Sequence, residues 1–153
     1  MNNPTLSKTV DHAAIRVAHL LTIVFLVTAF ILDSLPLVIF VAAANGLGAL
    51  IPSFSLFNAI YTNILKPAEW VKPDIVPDHP EPHRFAQGVG AVCVVISAIL
   101  LANAQVIAGW AFSWLVIFLA AANVFLGFCA GCFTYYQLNR LGVPGFQHRP
   151  MHR

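Results

Sequence analysis

Long apolar stretches alternate with short polar segments along almost the whole chain. Four of these stretches approach or exceed the roughly 20 residues that a helix needs to cross the hydrocarbon core of a bilayer. They cover residues 13–32, 35–51, 83–102 and 110–135. The pattern predicts an all-α membrane protein with four transmembrane helices, built as a single domain over residues 1–153.

Polar residues between the stretches predict how the helices are connected. Asp33 and Ser34, followed by Pro36, interrupt the first two apolar stretches and predict a tight turn between them. We therefore expect a first hairpin over residues 13–51 and a second hairpin over residues 83–136.

The two hairpins contain a sequence repeat. Residues 38–45 recur as residues 116–123 with a single conservative difference. Two spans per unit make the copies parallel, so a pseudo-two-fold axis along the membrane normal would relate them. Such an axis would bring equivalent faces of the second and fourth spans together. Asn45 and Asn123 would then form an interhelical polar pair with a structural role.

The polar remainder of the chain falls into three segments. Residues 52–65 place Phe and Tyr at helical spacing among Ser, Asn and Thr, which predicts a short interfacial helix after the second span. Five prolines among charged residues predict an extended, Pro-rich cytoplasmic linker over residues 66–82. Residues 137–153 are expected to form a polar cytoplasmic tail.

The composition agrees with a protein whose solvent is lipid. Hydrophobic residues make up 59% of the chain and charged residues only 9%. The formal net charge of +2 is too small and too dispersed to neutralise several phosphates, so we expect no nucleic acid partner. The chain contains no phosphate-binding loop and no His-Glu-x-x-His motif, and we expect no cofactor.

The basic residues predict the orientation in the membrane. They lie near one end of the predicted spans, and the two hairpin tips carry none. By the positive-inside rule, the N-terminus, the linker and the C-terminus are cytoplasmic, with Trp110 and Trp114 at the opposite interface. Arg16 and Arg84 begin the two hairpins at the cytoplasmic interface, where they would reach the headgroups. The basic residues are Lys8, Arg16, Lys66, Lys72, Arg84, Arg140, Arg149 and Arg153.

The strongest candidate for chemistry is the pair Cys129 and Cys132 near the cytoplasmic end of the fourth span. Helical residues at this spacing share a face, which allows a disulfide after modest adjustment or a soft metal ion between the two sulfurs. We expect Cys129 to be the more buried thiol and Cys132 the more accessible one. A position near a helix C-terminus does not favour a reactive thiolate, however.

Close helix packing is the alternative explanation for these cysteines. Gly127 and Gly131 form a Gly-x-x-x-Gly motif around Cys129, and this motif lets transmembrane helices approach each other closely. Cysteine is small enough to belong to such a contact.

Other polar side chains are weaker candidates. Cys93, at a depth similar to that of Cys129, is either a third thiol, as a resolving cysteine or metal ligand, or a small packing residue. His19 in the first span is either an interfacial hydrogen-bonding group or a ligand, and Gln87 occupies the matching place in the second hairpin. His79 and His83 make a weak metal site, because nearby prolines interrupt a regular helix.

Three stretches of the chain resemble a known family. They are residues 11–17, 82–90 and 128–135, and they include Arg-Phe-Ala-Gln and Cys-x-Gly-Cys-x-x-Tyr. Together they resemble an uncharacterised bacterial integral-membrane family that is known as domain of unknown function 4395. The resemblance covers nearly all of residues 11–136. It implies a multi-pass protein of the bacterial cytoplasmic (inner) membrane, and it suggests sulfur chemistry or thioredoxin-like partners.

Three functions are compatible with these features, and the sequence leaves open whether the chain is an enzyme. In the first, Cys129 and Cys132 exchange electrons or carry sulfur between a cytoplasmic thioredoxin- or rhodanese-like partner and a membrane acceptor. In the second, the cysteines bind a soft metal or a sulfur species during transport. In the third, the chain is a non-catalytic accessory or assembly subunit that packs against other membrane subunits or a second copy of itself.

Overall fold

The computed structural model describes residues 9–51, 56–65, 74–77 and 80–143, which form a mostly helical protein. Helices dominate, as the hydrophobic pattern predicted, and two short strands accompany them. The elements are β1 (Thr9–Asp11), α1 (His12–Ile31), α2 (Leu35–Leu50), α3 (Leu56–Ile60), a π-helical turn (Tyr61–Leu65), β2 (Ile75–Pro77), α4 (Pro80–Ala102), α5 (Val106–Leu126) and α6 (Ala130–Arg140).

Several features of the sequence prediction fall outside the described residues. They include most of the predicted linker, the end of the predicted tail, one histidine and five basic residues. These are residues 66–73 and 144–153, His79, Lys8, Lys66, Lys72, Arg149 and Arg153.

Three of the described helices are long and apolar enough to cross a membrane. They are α1, α4 and α5, with 20, 23 and 21 residues. Helix α2 is also apolar, but it has 16 residues. At the helical rise per residue it is about 24 Å long, shorter than the roughly 30 Å of a hydrocarbon core. The fourth crossing therefore stays a prediction.

Short turns connect α1 to α2 and α4 to α5. The first turn, at residues 32–34, coincides with the polar break that the sequence predicted. Asp33 adopts a left-handed φ of 45° there, and Ala104 adopts a φ of 58° in the second turn. The N–H of Ser34 donates to the carbonyl of Ala29 at 2.8 Å, which closes the first turn.

The four longest helices pack as a ring, in which α1 contacts α2, α2 contacts α4, α4 contacts α5 and α5 contacts α1. Leu26, Val41, Val94 and Val116 supply one buried core residue from each helix. Helices α2 and α5 are not among the extensively packed pairs of described elements, because they occupy opposite corners of the ring. The predicted approach of the second and fourth spans is therefore wrong.

Buried polar side chains are paired inside this ring. The side-chain amide of Asn45 donates to the hydroxyl of Thr22 at 3.3 Å, so α2 bonds to α1. The predicted pair of Asn45 with Asn123 is wrong, since the Asn45 amide is paired with Thr22 of α1 instead. The hydroxyl groups of Ser97 and Ser113 lie 2.8 Å apart and join α4 to α5.

The segment before α4 contains regular structure that the sequence did not predict. β1 and β2 pair in antiparallel fashion, with Val10 opposite Val76. Asp11 accepts the N–H groups of Ala13 at 3.0 Å and of Asp74 at 3.1 Å, so it caps α1 and holds the linker. Helix α4 begins at Pro80, because the first turn of a helix tolerates proline. The prediction of an extended linker is thus wrong for residues 80–82, which are helical, whereas residues 75–77 are extended and form a strand.

The short helix after α2 packs along α1. The ring of Phe57 stacks 6.2 Å from that of Phe25. The hydroxyl of Tyr61 donates to Asp11 at 2.8 Å, near the start of α1. Burial, together with this hydrogen bond, raises the pKa of Tyr61 to about 12. A short helix was predicted here, and the structure adds that it is held by buried aromatic contacts.

The predicted fourth span is interrupted near its end. Gly127 ends α5 with a left-handed φ of 65°, and α6 starts at Ala130. Glycine adopts this conformation at little cost because it lacks a Cβ atom. The prediction of one helix over residues 110–135 is therefore wrong. The Gly-x-x-x-Gly motif also does not form one helix face, since Gly127 lies in the break and Gly131 in α6.

Candidate redox site and adjoining cavity

Cys129 and Cys132 lie at the N-terminus of α6 and are joined by a disulfide, with their Cα atoms 5.2 Å apart. Cys129 is the N-cap residue, and its sulfur accepts the backbone N–H of Cys132 at 3.2 Å. The break at Gly127 creates this site, because it allows a new helix to begin at the first cysteine.

The electrostatic setting of the pair is the opposite of the one expected from the sequence. A helix N-terminus carries the positive end of the helix dipole and presents N–H groups without helical acceptors. Both features stabilise a thiolate, as in reactive Cys-x-x-Cys motifs. The prediction that the pair lies near a helix C-terminus is wrong, because α5 ends before it. In the dithiol state, Cys129 is positioned to carry the stabilised thiolate.

The exposure of the two cysteines also differs from the prediction. Cys132 is buried, with 7% of its surface exposed, whereas Cys129 is half-buried. Helix α6 packs on α4 and covers the face that carries Cys132. A reactant therefore reaches Cys129 more readily, and the expected order of accessibility is reversed.

His83 lies beside the disulfide, although no sequence pattern linked it to the cysteines. Its Nδ1 atom is 3.4 Å from the sulfur of Cys132. The ring of His12 contacts the ring of His83 edge-on, with centroids 5.4 Å apart. The starts of α1, α4 and α6 thus meet at one place. The signals in the sequence were the position of His83 at the start of the third apolar stretch and its spacing from His79, which predicted only a weak metal site.

The side chains of His83, Cys129 and Cys132 form a potential set of metal ligands. One ligand atom from each of His83, Cys129 and Cys132 lies within 4.8 Å of the others. Imidazole and thiolate groups suit soft and borderline metal ions, provided that the disulfide is reduced. Cys93 does not belong to this group of described residues, so its role as a third thiol stays a prediction, and His83 is the third side chain here.

Two contacts hold α6 against α4. Gly131 lies so close to Ala86 that a Cβ atom at position 131 would overlap with the Ala86 backbone and side chain. The ring of Tyr135 meets the ring of Phe85 edge-on, with centroids 5.8 Å apart. The small residue between the two cysteines therefore brings the disulfide up to the start of α4, where His83 lies.

A cavity of about 580 Å³ opens beside the disulfide. It is lined by residues of α1, α2, α4, α5 and the start of α6, and Cys129 forms part of its wall. Ionisable residues line the end next to the disulfide, among them Asp11, Glu81 and Arg84. From Asp11 to Thr22, which also lines the cavity, α1 rises about 16 Å. The cavity therefore extends from the disulfide along α1, between the apolar helices.

The remaining candidates from the sequence also line this cavity. Cys93 is a free, half-buried thiol on α4, about 15 Å along the helix from His83. His19 bonds to the carbonyl of Ile15 through Nδ1 at 2.7 Å. Gln87 faces the cavity from α4 and Asn123 faces it from α5. The structure thus brings polar groups from both predicted hairpins into one cavity.

The two arginines at the starts of the hairpins differ in their contacts. The guanidinium group of Arg84 donates to the carbonyls of Ala49 at 3.2 Å and Leu50 at 3.3 Å. These carbonyls lie at the C-terminus of α2, where they lack helical donors. Arg16 is exposed and makes no hydrogen bond or ion pair with a described residue. Arg84 therefore caps α2, and headgroup contacts of both arginines stay a prediction.

The chain belongs to the family described as domain of unknown function (DUF4395), whose model matches residues 10–140. This match confirms the family resemblance that the sequence motifs indicated. No curated protein and no solved structure matches the chain.

Proposed function

We propose that this protein is a membrane thiol redox or sulfur-relay component that works through Cys129 and Cys132. In this proposal, a cytoplasmic thioredoxin- or rhodanese-like protein exchanges electrons or sulfur with the pair, and a membrane acceptor exchanges electrons with it in turn. The observation that carries the proposal is the disulfide at the N-terminus of α6, where the sulfur of Cys129 accepts the N–H of Cys132 at 3.2 Å.

The geometry supports a defined order of bond changes. A partner thiolate attacks the half-buried sulfur of Cys129, the disulfide bond breaks, and Cys132 leaves as a thiolate. His83, 3.4 Å away, can supply the proton that this leaving thiolate takes up. A second thiol of the partner then attacks the mixed disulfide and releases Cys129. The partner loses two electrons and two protons, and the pair gains them.

A transfer to the cytoplasm requires that the pair face that side of the membrane. We propose the bacterial cytoplasmic membrane, with four crossings and both termini inside, on the basis of the positive-inside rule and the family resemblance. The contacts of β1 with β2 and of His12 with His83 gather the starts of α1 and α4 at one end of the helices. This gathering supports a common side for the N-terminal segment, the linker and the disulfide.

The direct test is the rate at which a dithiol protein reduces the pair. The full chain carrying Cys93→Ser is placed in lipid nanodiscs, so that maleimide labelling reports only Cys129 and Cys132. Reduced thioredoxin should expose both thiols at least tenfold faster than thioredoxin whose two active-site cysteines are replaced by serine. The Cys93→Ser background should match the wild-type rate, since Cys93 is not part of the disulfide.

Two results would overturn the proposal. The first is reduction by active thioredoxin at the rate of its inactive variant, tested also with a rhodanese-class persulfide donor. The second is a double variant, Cys129→Ala with Cys132→Ala, that restores cellular thiol balance in cells lacking this protein as well as the wild type does. That second result would favour the accessory or assembly subunit.

Binding of a soft metal is a second candidate function, because His83 joins the two cysteines within 4.8 Å. It requires the dithiol form, so the two functions exclude each other at any one moment. Reduced protein titrated with Cu(I) or Zn²⁺ under anoxic conditions should bind one ion per chain, and His83→Ala should weaken binding at least tenfold. Equal affinity of wild type and Cys129→Ser for both ions would contradict this function.

A further inference from the structure

We propose that the cavity beside the disulfide binds a lipid-soluble quinone, which is the membrane acceptor for electrons from Cys129 and Cys132. This inference rests on the proposed function and names the class of the second substrate. It starts from a space of about 580 Å³, which lies within the range of about 300 to 1,000 Å³ that is typical of small-molecule sites.

The position of the cavity favours a ligand that arrives from the bilayer. Its walls come from α1, α4 and α5, the three helices long and apolar enough to cross a membrane, and from α2. Small residues such as Ala14, Ala18, Gly48 and Gly90 line it and leave room for a flat molecule. Cys129 lies in the same wall, so a bound ring and the sulfur share one space.

Two polar side chains in the cavity are available to a hydrogen-bonding ligand. Gln87 and Asn123 line the cavity, and neither amide has a hydrogen-bond partner among the described residues. An amide among apolar helices is costly when it is unpaired. By contrast, the Asn45 amide in the same cavity is paired with Thr22. A ligand with carbonyl acceptors on a flat ring would satisfy the N–H groups of Gln87 and Asn123.

The charge distribution disfavours a charged electron acceptor in the part of the cavity between α1 and α2. Ionisable lining residues such as Asp11, Glu81 and Arg84 lie at the end near the disulfide. Farther along α1 and α2, the wall carries the imidazole of His19 and the neutral groups of Thr22 and Asn45. An anionic nucleotide cofactor would be poorly solvated there. A neutral quinone, whose reduced form is also neutral, fits this environment in both states.

The electron transfer balances within this pair of reactants. The dithiol of Cys129 and Cys132 loses two electrons and two protons, so two S–H bonds break and one S–S bond forms. The quinone gains the same two electrons and two protons, and both carbonyl oxygens become hydroxyl groups. No further oxidant is required, and the disulfide is then ready for the next dithiol partner.

Binding is tested with the full chain in nanodiscs and decylubiquinone, whose fully substituted ring resists addition of thiols. Retention by loaded discs is compared with retention by empty discs. Gln87→Leu and Asn123→Leu should each weaken binding about tenfold, as expected for the loss of one hydrogen bond to the ligand. Asn103→Leu is the matched control, because Asn103 is exposed and bonds to the carbonyl of Ile99 in the preceding helix.

Turnover is tested on the same sample after reduction and removal of the reductant, under anoxic conditions. One decylubiquinone should become reduced per chain, while the protein loses two hydrogen atoms by intact mass. Asn103→Leu should retain this stoichiometry, because Asn103 lies outside the cavity lining, and Cys129→Ser should abolish turnover. A short-tailed menaquinone is tested in parallel, since both ring types carry the same pair of carbonyls.

The outcomes separate this inference from the proposed function. Equal retention of both quinones by loaded and empty discs, with thioredoxin still reducing the disulfide, would overturn the quinone site and leave the redox function standing. Quinone binding without any exchange with thioredoxin or a persulfide donor would overturn the proposed function. Loss of affinity in Asn103→Leu equal to that in Asn123→Leu would also overturn the assignment of the cavity.

Discussion

The Nδ1 atom of His83 lies 3.4 Å from the sulfur of Cys132, although 49 positions separate the two residues in the sequence. The contact joins the first turn of α4 to the first turn of α6. It places an imidazole where the thiolate of Cys132 forms when the disulfide opens.

We expect His83→Ala to slow the reduction of the disulfide by thioredoxin about 100-fold, because a positioned proton donor contributes about that factor or more. The measurement is the maleimide-labelling time course in the Cys93→Ser background. Added imidazole should restore part of the lost rate in His83→Ala. An unchanged rate, or a loss that imidazole never relieves, would show that His83 has only a packing role.

The stability of the protein is expected to depend on the absence of a side chain at Gly131. Gly131→Ala adds a Cβ atom that overlaps with Ala86 and should separate α6 from α4. We expect a loss of stability of about 1 to 3 kcal/mol, as for other overpacked contacts. Gly46→Ala is the control, because a Cβ atom there meets nothing within 4 Å. Thermal unfolding in detergent measures both, and equal midpoints would contradict the contact.

Thr22 is expected to matter more than a second threonine on the same helix. Thr22→Val removes the partner of the Asn45 amide and should lower stability by about 1 kcal/mol, a typical value for hydrogen bonds between membrane helices. Thr28→Val serves as the control, since Thr28 is exposed and bonds to the Val24 carbonyl of its own helix. Both hydroxyl groups bond to a carbonyl one turn earlier, so the difference isolates the contact with Asn45. A larger loss in Thr28→Val would refute this assignment.

The two arginines should also respond differently to the same substitution. Arg84→Met removes donors from the carbonyls of Ala49 and Leu50 and should destabilise the protein by about 1 kcal/mol, as the loss of a helix cap does. Arg16→Met removes an exposed charge without such a bond and should have about half that effect or less. Thermal midpoints in nanodiscs distinguish the two. Identical losses would mean that both arginines act only at the membrane surface.

Protonation of Tyr61 provides a pH-dependent check of the short helix after α2. The folded state raises the pKa of Tyr61 to about 12, above the usual value of about 10. Its contribution to stability is therefore complete below pH 10 and is lost as the pH rises towards 12. Tyr61→Phe should be less stable than wild type at neutral pH and lose less stability over that alkaline range. Parallel curves for the two proteins would exclude this role.

The structural features that the sequence predicted correctly depend on local patterns. The long apolar stretches predicted α1 and α4 to within a few residues, because a helix that contacts lipid needs an almost uninterrupted apolar run. Asp33 and Ser34 predicted the turn after α1, because two adjacent polar residues interrupt such an apolar run. The Cys-x-x-Cys spacing likewise identified the two sulfurs that form the disulfide.

The errors arose where a local pattern allowed two conformations. The apolar character of residues 110–135 hid the break at Gly127, because a helix interior and a left-handed helix end can both carry glycine between hydrophobic residues. Because of that single error, Cys129 was expected near the negative end of a helix dipole, whereas it lies at the positive end of α6. The expected order of accessibility of Cys129 and Cys132 was also the reverse of the observed one. The partner of Asn45 was also misassigned, since the repeat relates the hairpins but does not determine which corners of the helix ring touch.

The sequence by itself determined that this chain folds as apolar helices in lipid and that two thiols lie within reach of each other. Both conclusions depend on spacing along a few turns of chain, which short-range geometry controls. Only the tertiary structure decided that His83 joins the disulfide and that Gln87 and Asn123 face a common cavity. Those relationships depend on how separate helices pack, and side-chain packing between distant segments leaves no periodic signal in one sequence.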